Sequence, residues 1–192
     1  MRRYDLTAEM YDERYHEEQK AKYDAALRCI SIDNAAILDL GCGTGLLFDN
    51  VAKRAEVVVG IDLAKKLLFK ANVRSHKFGN VFTVQADADH LPFRSDFFGA
   101  VFAFTVLQNL PTPYRALLET TRVALSGAWI TITGLKRKFS LQTLTSLLDK
   151  IDLRPSCIID NKLLSCYVTV SLLDKRPVSA IDSCPNTFSK ES

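Results

Sequence analysis

Residues 37–47 read ILDLGCGTGLL: a short apolar run, an acid at Asp39, then glycines at alternate positions, Gly41, Gly43 and Gly45. An apolar run that enters glycines and leaves through Leu46, Leu47 and Phe48 predicts a buried parallel strand turning sharply into a helix. Ligands of open α/β sheets sit at such turns. Glycine serves there because the backbone takes dihedrals closed to residues with a Cβ and because a ligand must approach the main chain. The dinucleotide fingerprint would need a glycine at position 46, where this chain has Leu46. Asp39 points the same way, since a carboxylate beside a phosphate pocket repels the ligand. A cationic ligand suits it better, and a purely structural glycine loop is the alternative for the turn taken alone.

Around that turn the chain alternates in the manner of an α/β domain. Residues 8–30 are rich in Glu, Lys, Tyr and Ala without Pro or Gly and predict one or two amphipathic helices, with Thr7 as a hydroxyl cap. A helix of about nine residues is expected after the glycines. Residues 57–62 (VVVGID), 81–85, 97–104 and 129–133 read as further strands, and 63–74 and 114–125 as helices, the second started by Pro113. Ser140 caps a helix over 141–151. Residues 156–160 and 165–173 form a closing hairpin.

Length and charge narrow the class. At 192 residues the chain suits one sizeable α/β core. The excess of 25 basic over 22 acidic residues is too slight for a nucleic-acid footprint, and it neither requires nor excludes RNA. No apolar run reaches the roughly 18 residues that span a bilayer, so the expected location is cytoplasmic, without a membrane partner. The five cysteines are scattered without a CxxC pair, so reduced thiols are expected and neither a disulfide framework nor a metal site.

In their order and spacing these residues resemble the Rossmann-like (class I) S-adenosylmethionine-dependent methyltransferases, whose cofactor carries a sulfonium and an ammonium and no phosphate. The resemblance implies a three-layer α/β fold with a seven-stranded sheet of order 3-2-1-4-5-7-6, one strand antiparallel. It implies a helical cap over residues 1–35 and a core over 36–173; from Asp174 the composition turns to Ser, Pro, Lys and Asn, which predicts a flexible tail over 174–192. S-adenosyl-L-methionine is the implied cofactor. Asp39, Gly41, Cys42, Gly43 and Gly45 would form its glycine motif, with Cys42 a small residue packed inside the turn. Asp62, ending the second strand, would hold the ribose and Leu63 cover one adenine face, although Asp62 also stands where a helix cap belongs. Asp87 and Ala88, in a D-A-x-x-L-P-F-like segment, would take the adenine amino group and a ring nitrogen. Thr105 and Val106 would line the pocket. Tyr11, in a YDxxY-like segment, would lie near the cofactor carboxylate or simply dock its helix.

Two departures bear on the acceptor. Gly99 stands where relatives often have Asp, and Gln108-Asn109 where many have Glu-His, which removes the residue one would name as general base. The Asn/Asp-Pro-Pro-Tyr motif of amino-group methyltransferases is absent there. Asn109 remains as an acceptor-positioning group, and His16 or Tyr15 as a proton handler if the first helix closes over the site. The glycine-rich turn before the fifth strand is shortened to Ser126-Gly127, and Lys136, Arg137 and Lys138 are either a solvated run or an acceptor rim. The acceptor is RNA or protein, with a small activating subunit pairing along an edge such as 81–85, or a small metabolite. A non-catalytic binding module that kept the fold is the alternative, while Leu46 and Asp39 disfavour a nicotinamide-dependent oxidoreductase.

Overall fold

A computed structural model describes the backbone of residues 8–175 and the side chains of residues 16–175. Thr7, Cys184 and the expected tail beyond residue 175 lie outside the described residues, as do the side chains of Tyr11 and Tyr15. Seven strands form one sheet: β1 (Ala36–Leu40), β2 (Val57–Asp62), β3 (Val81–Gln85), β4 (Phe98–Ala103), β5 (Ala124–Leu135), β6 (Pro155–Ile159) and β7 (Cys166–Leu172). Their order is β3-β2-β1-β4-β5-β7-β6, as the resemblance implied. The ladders from β3 through β5 are parallel, and β7 runs antiparallel to both β5 and β6.

Strand alternation sorts the core into two layers. Ile37 of β1 joins Phe48, Val58 and Ala71 on one face, whereas Leu38 and Leu40 join Leu117, Leu144 and Leu148 on the other. The first face is covered by α1 (Ala8–Leu27), the single-turn α2 (Phe48–Val51) and α3 (Lys65–Ser75). The second is covered by α4 (Pro113–Val123) and α5 (Leu141–Asp149). Tyr23 and Ala26 of α1 share the core with Val168 and Val170 of β7, so this part of the helix packs on the sheet itself. Ser140 caps α5 by accepting from the Thr143 N–H at 3.0 Å, as expected. Among the described residues no helix is long and apolar enough to cross a membrane.

Two local expectations need correction. The helix after the glycines is four residues long, because the chain there winds with three-residue spacing, Phe48 N to Gly45 O at 3.1 Å and Asn50 N to Leu47 O at 2.9 Å. The short Ser126-Gly127 segment is part of β5: between the Phe98–Ala124 and Ala100–Trp129 pairs the strand bulges, with Gly127 at φ +81°. The Gly127 N–H donates to the Leu173 carbonyl at 2.7 Å, which fixes the bulge. The free thiols of Cys29 and Cys157 meet at 3.2 Å across 128 residues, a proximity that spacing does not reveal.

Candidate functional site

At the carboxyl ends of β1, β2 and β4 a cavity opens, lined by Gly41, Gly43, Ile61, Asp62, Leu63 and Ala64 on one wall and by Phe104, Thr105, Val106, Asn109 and Leu110 on the other. Ala86, Asp87 and Ala88, following β3, complete its rim. This is the crevice beyond the strand ends where ligands of open sheets bind.

The first wall is a glycine turn tied to β2. Gly41 and Gly43 have φ of +71° and +56°, in the left-handed region that glycine enters without penalty. A Cβ on Gly41 would come within 2.5 Å of Val106 Cγ2, so this glycine also lets the two walls meet. The Cys42 N–H donates to the Ile61 carbonyl at 2.8 Å. One Asp62 oxygen accepts from the Gly43 N–H at 2.9 Å and the other from the Ala64 N–H at 2.8 Å, at the entry to α3. The carboxylate therefore holds the turn; it is not the cap of α3, whose N-cap is Ala64 without a side-chain cap bond.

Burial dominates the electrostatics of this wall. Asp39 is 4 % exposed behind the turn, and desolvation, followed by the nearby Asp62 charge, raises its pKa from an ordinary 3.8 to about 8. The same burial, with Asp39 and Asp62 as secondary causes, pushes the Cys42 thiol well above its usual range. A buried thiol with a raised pKa is inert, in keeping with a packing role.

The opposite wall is braced from α1. Thr105, just after β4, has φ +61°, which for a β-branched residue is a strained conformation. Its hydroxyl meets the Gln19 amide (Nε2) at 3.1 Å and the Lys22 ammonium at 3.3 Å, and its N–H donates to Thr133 Oγ1 at 2.7 Å. Lys22 is fully buried and paired with Glu18 at 2.9 Å; Glu18 in turn accepts from the Ser165 hydroxyl. Desolvation would raise the Glu18 pKa, but the Ser165 and Lys22 bonds outweigh it and hold it below the usual carboxylate range. The Tyr23 ring meets Phe104 edge-on at 4.8 Å between centroids. Asn109 donates from Nδ2 to the Thr105 carbonyl at 2.9 Å and is itself exposed, in the 3-10 turn Leu107–Asn109.

The cavity thus brings together Gly41, Gly43, Asp62, Leu63, Asp87, Ala88, Thr105, Val106 and Asn109 of the residues the sequence pointed to. Asp39, Cys42 and Gly45 lie behind the turn and do not line it. Gly45 serves packing, since a Cβ there would lie 2.5 Å from the Phe48 ring. His16 is exposed and does not line the cavity; Tyr11 and Tyr15 lie outside the described side chains. Gln108 does not line the cavity either, and its buried Oε1 lacks a hydrogen-bond partner among the described residues. Lys136 is engaged by Asp160 at 2.8 Å and by the Asn161 carbonyl at 2.7 Å, so it closes the β6–β7 hairpin. Gln19 and Lys22 were missed; the available signal was two polar residues on the helix face shared with Tyr23 and Ala26.

Comparison with known proteins agrees with this geometry. Residues 38–132 match the family described as a methyltransferase domain. The ubiquinone biosynthesis O-methyltransferase of Hydrogenovibrio crunogenus is 30% identical over 112 residues, 57% of this chain and 46% of that protein. The protein of the same description from Chromobacterium violaceum is 32% identical over 127 residues, 64% of this chain and 53% of its own. The chain therefore spans about half the length of the curated relatives it matches. A methyltransferase structure from Aquifex aeolicus superposes with a TM-score of 0.78 at 18% identity, covering 88% of this chain and 98% of that one. A structure of a complex containing the Haloferax volcanii Trm112 methyltransferase activator gives 0.77 at 13% identity, covering 90% and 98%. At these identities the structures speak for the fold.

Proposed function

Because the chain belongs to the class I S-adenosylmethionine-dependent methyltransferase family, we propose that it transfers a methyl group from that cofactor to a hydroxyl of a small-molecule acceptor. The observation that carries the reading is the meeting, in one cavity, of a left-handed glycine turn with the acid that ends β2 and the acid that follows β3. These residues fit the cofactor chemically. Asp62 gives the wall an acidic group, and Asp39 behind the turn can ionise as a cation binds, which together favour a sulfonium and an ammonium over a pyrophosphate. Asp62 accepts from the Gly43 and Ala64 N–H groups and stands in the cavity wall, where a carboxylate can also accept from a ribose hydroxyl. Asp87 has one oxygen engaged by the Asp89 N–H at 3.0 Å and offers the other to an adenine amino group, while the Ala88 N–H serves a ring nitrogen. Leu63, 46% exposed, is free to cover one face of the base. In the same reading α1 belongs to the cap of the site expected over residues 1–35.

When bound, the cofactor supplies a methyl group already activated by its positive sulfur. The chain then has to align donor and acceptor and exclude water. Asn109 is suited to the alignment: with its Nδ2 held by the Thr105 carbonyl, its Oδ1 is directed to accept a hydrogen bond from an acceptor hydroxyl. An amide is no general base, so the acceptor must lose its proton easily or pass it to solvent. The names of the curated relatives, O-methyltransferases of ubiquinone biosynthesis, support an oxygen acceptor on a small molecule.

A second reading rests on the sheet edge. β3 borders the sheet, and Phe82 on it is 56% exposed, a surface on which a small activating subunit would pair and bring an RNA or protein acceptor. Calorimetric titration with S-adenosylmethionine, S-adenosylhomocysteine and NAD, followed by labelled-methyl transfer to a panel of catechols and phenols, separates the readings. Micromolar binding of the first two ligands with transfer to a catechol is expected. Binding without transfer to any small molecule favours the partner-dependent reading or a non-catalytic module, and failure to bind either sulfur ligand removes the cofactor assignment.

A further inference from the structure

The rim segment carrying Asp87 and Ala88 leaves from β3, the edge strand, and so has the sheet on one side only. Its internal bonds, the His90 N–H to the Asp87 carbonyl at 3.1 Å and the Asp89 N–H to Asp87 Oδ1 at 3.0 Å, shape a compact turn without fixing where the turn sits. The near end is tied to β2, where the Ala86 N–H donates to the Asp62 carbonyl at 3.3 Å, and Ala88, Leu91 and Phe93 pack on the core; the polar anchoring beyond that comes from α4. Glu119 Oε2 accepts from the Leu91 N–H at 2.8 Å, and the Arg122 guanidinium donates to the Leu91 carbonyl at 3.0 Å and the Phe93 carbonyl at 2.8 Å. The two side chains hold each other through two bonds, 2.6 and 2.7 Å, one turn apart on the helix. The segment's far end joins the same helical turn, where the Asp96 N–H donates to the Arg122 carbonyl at 3.1 Å. Three main-chain groups that must find partners thus find them on one charged pair, whose planar fork fixes direction as well as distance.

We propose that Glu119 and Arg122 are positioning residues for base recognition: from α4 they set the backbone of residues 91–93 and, through it, how Asp87 and Ala88 face an adenine. The proposal rests on the cofactor reading above and extends it to two residues that do not line the cavity. A pair that merely staples α4 to a loop would lower stability without discriminating between bases; a positioning pair acts on affinity through Asp87.

Arg122→Lys keeps the charge and removes the fork, and Glu119→Gln keeps an oxygen for the Leu91 N–H while loosening the grip on Arg122. Each is made alone and with Asp87→Ala. Thermal unfolding verifies that the variants fold, with Glu119→Gln the milder substitution. Calorimetry then measures S-adenosylhomocysteine and S-inosylhomocysteine, which has a carbonyl where adenine has its amino group. Arg122→Lys should weaken S-adenosylhomocysteine binding about tenfold, leave the weaker inosine analogue unchanged, and cost nothing further once Asp87 is alanine, as coupled residues behave. Equal losses for both ligands, full additivity with Asp87→Ala, or unchanged affinity with a lowered Tm overturns the proposal and leaves the cofactor reading in place. If the unaltered chain fails to bind S-adenosylhomocysteine, both fall. If it binds and Asp87→Ala has no effect, the assignment of Asp87 falls and the proposal with it.

Discussion

The two walls of the cavity are made in opposite ways. The wall at Gly41–Gly43 and Asp62–Ala64 comes from neighbouring strands and is held by backbone N–H groups on a carboxylate. The wall at Phe104–Thr105 comes from the end of β4 but is held by side chains of α1, separated from it by 83 and 86 residues. One is a short-range device whose polar groups face the cavity. The other is a long-range brace whose polar groups face the interior, with a fully buried lysine at its centre. Substitutions should therefore divide, those on the first wall changing ligand affinity and those on the second changing the stability of the fold.

The largest expected effect tests the brace. Lys22→Met leaves Glu18 without its cation and Thr105 without one of its partners. Breaking a fully buried pair costs about 3–5 kcal/mol, and the partial exposure of Glu18 reduces this to about 2–3 kcal/mol. Urea denaturation should show that loss while affinity for S-adenosylhomocysteine stays within about threefold. The reverse pattern, intact stability with lost binding, would make Thr105 part of a ligand-reading wall and collapse the contrast.

Next comes Asp62→Ala, expected to weaken S-adenosylmethionine binding about tenfold or more, in line with about 1.5–3 kcal/mol for charge-assisted bonds. Unchanged affinity in a calorimetric titration would show that the carboxylate holds the turn and no ligand.

Asp39 sharpens the contrast through pH. With its pKa raised to about 8, the folded chain holds a proton that the unfolded chain, near 3.8, releases. Stability should therefore fall as pH rises from about 4 to about 8 and level off above. A cationic ligand favours the ionised form, so affinity for S-adenosylmethionine should rise between pH 6 and 8, by less than about tenfold per unit. For S-adenosylhomocysteine, which lacks the sulfonium charge, the slope should be shallower. Titration in two buffers of different ionisation enthalpy counts the released proton, and Asp39→Asn should abolish the difference between the ligands.

The smallest effect belongs to a residue outside both walls. Lys136→Ala removes a partly exposed pair with Asp160 and should cost about 0.2–1 kcal/mol with no change in cofactor affinity. A clear loss of transfer to an anionic acceptor would return Lys136 to the acceptor rim.

What the sequence made legible follows the same division. The order of the strands, the glycine turn, Asp62 and the Asp87 segment were readable because strand alternation and turn chemistry are local, and the resemblance supplied their relative order. The contact of Gln19 and Lys22 with Thr105 was not, because a polar residue on a helix face carries no record of the residue it will meet. The same holds for Cys29 with Cys157. The bulge at Gly127 was read as a shortened turn, since only the pairing of β4 with β5 and the reach of Leu173 reveal that the strand continues through it. Lys136 read as either a solvated charge or an acceptor-rim charge, and its pairing with Asp160 in the closing hairpin was not legible.

The Phe48 ring has a consequence beyond this one chain. Cβ atoms built on Gly45 and on Gly60, in the middle of β2, would each lie 2.5 Å from that ring. Gly45 also has φ +79°, which asks for glycine whatever its neighbour, whereas at Gly60 the nearest obstacles are the ring and Cys42 Sγ at 3.0 Å. Positions 48 and 60 should accordingly drift together among descendants of this fold, a side chain appearing at 60 only in lineages where 48 has become small, while 45 stays fixed.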